Sequence, residues 1–127
     1  MTAPGADDDV GTDGVGADGG AAGEATTDLY DLRVVVDRIE GRSVCGMRVG
    51  DYLEVTRSNE VRIPEGRHFC MYALASVLPL LPAKQRELLA GDWMAQDSHV
   101  ACPDPDERLI MRVERLGRTS IPTEELT

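Results

Sequence analysis

"YDLRVVVDRIE", residues 30–40, alternates closely enough to predict a strand with Leu32, Val34 and Val36 on one face and Arg33, Val35 and Asp37 on the other. Gly41 ends it. The following "GRSVCGMRVGD" has three glycines, the mark of a tight loop, and carries Cys45. "DYLEVTR" predicts a second strand, "SNE" a turn, and "VRI" a short return strand, giving a hairpin with Tyr52, Leu53 and Val55 near the core.

A different period takes over in "FCMYALASVLPLLP". From about Phe69 onward, Cys70, Ala73, Leu74, Val77, Leu78 and Leu81 recur at helical spacing and form an apolar stripe. Pro79 and Pro82 kink or stop this helix, and "AKQRELLAGD" predicts a second, shorter and more polar helix ending at Gly91. Beyond it, "HVAC" reads as a short extended segment and "RLIMRVERL" as a strand. "PDPD" between them must be a turn, because proline fixes φ and removes a backbone donor. The order predicts an α+β fold, a small antiparallel sheet with a helical pair packed on one face.

The ends differ from this body. Residues 1–28 hold seven glycines and seven acids with no basic or aromatic side chain. That composition cannot bury enough apolar area to offset chain entropy, so a disordered acidic tail is expected there. One α+β domain is expected over 29–117, and a frayed polar end over 118–127. Without the tail, 16 acids face 13 bases, so the body is close to neutral while the whole chain carries −10. An acidic tail on a near-neutral body repels phosphate backbones and anionic membranes, which disfavours nucleic acid and membrane as partners. No apolar run reaches membrane-spanning length and no basic, apolar leader opens the chain, so a cytoplasmic location is expected. The basic residues are arginine except for Lys84, which fits a GC-rich genome such as an actinobacterium's. Oligomeric state is not legible in the sequence.

Chemistry falls to the three cysteines, an odd number that cannot pair completely within one chain. A cytoplasmic setting disfavours a structural disulfide framework, while one redox-active pair plus one buried thiol stays open. Cys70 opens the predicted helix beside Arg67 and His68, where amide donors favour thiolate. It also lies on the apolar stripe, where a thiol is inert packing. Cys45 sits in a glycine-rich loop that either admits a ligand closely or merely satisfies turn geometry. Cys102 begins "CPDPDE", whose Asp104, Asp106 and Glu107 either serve a site or are a solvated turn. No zinc-finger spacing, phosphate loop, dinucleotide fingerprint or hydrolase elbow occurs. With so few aromatic residues, a base-stacking surface is also disfavoured.

Each cysteine nevertheless marks an element boundary. The leading expectation is therefore a pocket in which Cys45, Cys70 and Cys102 converge, with His99 or His68 as a further ligand, taking a soft metal such as zinc or copper(I), or a small ligand. An alternative is a small enzyme of a biosynthetic pathway, with Cys70 as nucleophile, His68 as base and Asp104 or Asp106 as acid. A third is a partner-binding accessory module that uses the exposed side of the helix.

The motifs "CGMRVGDYLEV", "CMYALASVLPLLP" and "ACPDPDERLIMRVERL" together resemble a family of small prokaryotic proteins of uncharacterised activity. That family has a cysteine before a Gly-x-x-x-Gly-Asp loop, a second opening a helix as Cys-x-x-Ala-Leu, and a third in Cys-Pro-Asp. The likeness spans roughly residues 30–116, and this chain has Met71 and Tyr72 where many members carry Pro or Trp. It implies that Cys45, Cys70 and Cys102 belong to one architecture, and it brings no activity with it.

Overall fold

The computed structural model describes residues 25–126, so most of the acidic tail expected over 1–28 lies outside the described residues. Five strands form one open sheet: β1 (Thr26–Ile39), β2 (Tyr52–Thr56), β3 (Glu60–Arg62), β4 (Ser98–Ala101) and β5 (Leu109–Pro122), in the order β3-β2-β1-β5-β4. The β1–β2, β2–β3 and β4–β5 pairs are antiparallel. Backbone bonds from Glu40 N to Arg108 O and from Gly41 N to Glu107 O run the same way beyond the ends of β1 and β5.

Alternation in β1 works as its sequence dictates. Leu32, Val34 and Val36 are buried, and they join Leu53 and Val55 of β2 and Leu109, Met111 and Val113 of β5 in one apolar cluster. Register fixes this layer, since Leu32 stands opposite Val55 and Val34 opposite Leu53; a one-residue slip would turn all of them outward. The hairpin turn between β2 and β3 uses Arg57 and Asn59 in the left-handed region, at φ 51° and 65°. Tyr52, expected near the core, faces the other way and stacks under the Arg33 guanidinium, 5.1 Å from its ring centre.

The helical segment differs from expectation in its second half. Helix α1 (Met71–Val77) runs through a 3-10 turn at Leu78–Leu80 into a last short turn α2 (Leu81–Lys84). Pro79 and Pro82 each stand in the first turn of their segment, where proline's missing N–H costs nothing. Ala73, Val77 and Leu81 enter the same cluster as the sheet residues, whereas Leu78 is exposed. No helix forms over 85–92. There Gln85 is buried, its side-chain amide donating to the carbonyls of Arg57 and Tyr30. Lys84 is also buried, its Nζ donating to the carbonyls of Met94 (2.8 Å) and Gln96 (2.5 Å). These tertiary partners for the polar side chains of "KQ" outcompete a marginal surface helix. Among the described residues no helix is long and apolar enough to cross a membrane.

The strands also run further than the sequence reading expects, β1 beginning at Thr26 and β5 continuing to Pro122. The described residues divide into two compact units, residues 28–119 and a smaller one with 25–27 and 120–126. Within the described part of the smaller unit, Thr123 N donates to Ala25 O (2.9 Å), the Thr27 and Thr123 hydroxyls meet at 3.0 Å, and Ile121 is buried.

Candidate functional site

Three segments meet at the helix start: the glycine-rich loop after β1, residues 68–70 before α1, and the turn before β5. Gly41 is what lets the first approach the third. A Cβ built there would stand 2.0 Å from the backbone oxygen of Asp106, so only glycine fits while its N–H bonds to Glu107 O at 2.9 Å. Further along the loop, Gly46 takes φ +82° and passes under the His68 ring, 3.7 Å from where its Cβ would be.

Glu107 is the hub. Its side chain is almost fully buried, and one carboxylate oxygen accepts the amides of Val44 (2.9 Å) and Cys45 (3.4 Å) and the Cys45 thiol (3.2 Å). A buried carboxylate needs such donors, because desolvation is otherwise prohibitive. Met47, also fully buried, is a second organiser: its Sδ accepts the Cys70 amide at 3.2 Å and its carbonyl accepts the Ser43 hydroxyl at 2.7 Å. Residues 45–47 and 68–70 are further tied by His68, whose Nε2 donates to Cys45 O at 2.8 Å.

The three thiols are brought together here. Cys45 and Cys70 are half-buried and Cys102 is buried, all against the same apolar cluster. Cys45 and Cys70 stand on the two clamped segments, near enough for Cys70 to act on the Cys45 thiol. Burial pushes the Cys45 thiol up to about 12, with the Glu107 carboxylate and Cys70 adding to the effect and the Met47 amide opposing it. Cys102 is likewise raised, first by burial and then by the charges of Cys70, Glu107 and Asp104, while the Asp104 amide pulls the other way. The sulfurs of Cys45 and Cys102 thus share one local device, a backbone N–H from two residues on, which favours thiolate against the burial that disfavours it.

Access is through Cys70. It lines an open groove of about 500 Å³ with Met71, Tyr72 and Ala75, and Tyr72 also lines a neighbouring groove with Pro103, Asp104 and Pro105. Met71 and Tyr72 are exposed. A third groove, bordered by Val61, Leu78 and Pro82, is apolar and holds no thiol or carboxylate.

Other expected members stand elsewhere. His99 pairs across β4–β5 with Arg112 and lies 3.7 Å from Asp37, among the charged side chains of the opposite sheet face, not with the thiols. His68 is at the site but engages Cys45 O. Asp104 spends Oδ1 on the Asp106 amide (3.0 Å) and its carbonyl on the Arg108 amide, shaping the turn, and Asp106 is exposed. Glu107, two residues before Leu109, shares the inward parity of Leu109, Met111 and Val113; that phase was the available signal for choosing it over Asp104. Met47 carried no such signal.

Among the described residues, no group of three or more His, Cys, Asp or Glu side chains is arranged to hold a metal ion. No protein-family model, curated protein or solved structure matches the chain.

Proposed function

We propose that this corner is a thiol site for a single soft cation, copper(I) in preference to zinc, with Cys45 and Cys70 as the ligand pair and Cys102 and Glu107 beside them. The observation that carries the reading is that the Cys45 loop and the residues before α1 are clamped together by the His68–Cys45 and Cys70–Met47 bonds, with both thiols against the same apolar cluster and Cys70 lining a groove with Met71 and Tyr72. Copper(I) is satisfied by two thiolates in line, whereas structural zinc wants four ligands in a tetrahedron. The lack of a cluster of three or more ligating groups among the described residues therefore weighs against zinc and leaves a two-thiolate ion open. The resemblance of the cysteine motifs to one prokaryotic family fits the same reading, which places all three in one architecture.

Binding must displace the proton that Cys45 shares with Glu107, so apparent affinity rises with pH. Titration of the reduced, metal-free chain with copper(I) against a chromophoric chelator tests this. One ion per chain is expected. Cys45→Ser and Cys70→Ser should each lower the affinity by at least about a hundredfold, the scale of losing well over 2 kcal/mol, and Cys102→Ser much less. Equal losses in all three variants would replace the pair by a three-thiolate site, and no binding by the wild-type chain would discard the reading. The small-enzyme alternative is less well supported, since His68 Nε2 is turned to a backbone carbonyl and not to Cys70.

A further inference from the structure

The same two thiols support a second chemistry. We propose that Cys45 and Cys70 are a reversible dithiol–disulfide pair, with Cys102 remaining a free thiol. This rests on the pairing that the copper(I) reading also uses, but on no metal.

Geometry selects the partners. Residues 45–47 and 68–70 are already clamped by the His68–Cys45 bond (2.8 Å), the Cys70–Met47 bond (3.2 Å) and the close packing of His68 over Gly46. Cys45 and Cys70 are therefore held on adjoining segments. Both thiols pack against the same apolar cluster between these clamps. Cys102 stands before the turn that leads into β5 and is itself buried in the core. The groove lets a reagent reach Cys70, while Cys45 lies behind it against Glu107.

A small-molecule disulfide is the oxidant class this arrangement takes. Cys70, its proton lost to water, attacks one sulfur of that disulfide, forms a mixed disulfide and expels a small thiolate. Cys45 passes its proton to the Glu107 oxygen 3.2 Å away and attacks the Cys70 sulfur, expelling the second small thiolate. The protein is oxidised by two electrons, the small disulfide is reduced to two thiols, and the two protons released from the protein end on them.

The test treats the full chain, kept in chelator, with oxidised glutathione and follows free thiols and peptide masses. Thiols should fall from three to one per chain, the mass should drop by two hydrogens, and mapping should find Cys45 joined to Cys70, with dithiothreitol restoring the start. Cys45→Ser should stop at a glutathione adduct on Cys70, and Cys102→Ser should still form the cross-link. Should Cys45→Ser not fold, mapping of the wild type and of Cys102→Ser decides alone. A cross-link through Cys102, a dimer between chains, or a stable glutathione adduct on the wild type overturns the proposal. A cross-link in a chain that binds no copper(I) removes the metal reading and keeps this one, and the converse result does the opposite.

Discussion

The two ends of the molecule's ionisable inventory make a useful contrast. On the outward face of the sheet, Arg33 pairs with Glu54 at 2.8 Å and Arg112 bridges Asp37 and Glu114, with His99 beside them, all in contact with water. At the helix start, a carboxylate and three thiols are packed against the apolar cluster, and burial raises the Cys45 thiol to about 12 and the Cys102 thiol in the same direction. Both regions are ordered by polar contacts. Water screens the first set, so its pairs tune register and solubility; exclusion of water makes the second set costly to misplace and chemically distinctive.

That contrast can be broken most severely at Gly41. Gly41→Ala forces a Cβ into the Asp106 carbonyl and should cost about 3 kcal/mol, read as a lower urea midpoint. A midpoint like the wild type's would mean that the loop is not clamped to the turn. Glu107→Ala strips the acceptor from two amides and a thiol and should cost about 2 kcal/mol, with loss of the ordered Val44 and Cys45 amide signals by NMR.

Alkaline pH sharpens the comparison with a smaller effect. The folded Cys45 thiol titrates at about 12, above its ordinary value of 9.0, so between those values the folded chain holds more protons than the unfolded one. The stabilisation is complete below pH 9 and is lost as pH rises toward 12; Cys102, shifted in the same direction, adds to the slope. Urea midpoints under reducing conditions should fall across that window, and the fall should be shallower in Cys45→Ala. Smallest of all, Arg33→Ala on the outward face should change stability by about 0.5 kcal/mol, and high salt should erase the difference. A loss as large as that of Glu107→Ala would collapse the distinction between the regions.

Local pattern carried much of the fold. The alternation of "YDLRVVVDRIE" stated which face of β1 is buried, "SNE" stated the hairpin, and the spacing of Ala73, Val77 and Leu81 stated the helix and its inner side. These readings succeed because strand and helix periods are properties of neighbouring residues. The helix expected from Ala83 to Gly91 stops at Lys84 because Lys84 and Gln85 find carbonyl partners far along the chain, which no local propensity encodes.

The sequence by itself determined the periodicity, the hairpin, and the placement of each cysteine at the edge of an element. Only the tertiary structure decided which of those edges meet. It tied the Cys45 loop to the residues before α1, sent His99 to the opposite face, and made Glu107 rather than Asp104 the buried acid. The reason is physical: strand register and the backbone approach that Gly41 permits set distances between residues more than twenty positions apart. Burial then gives their side chains properties that the same residues lack in water.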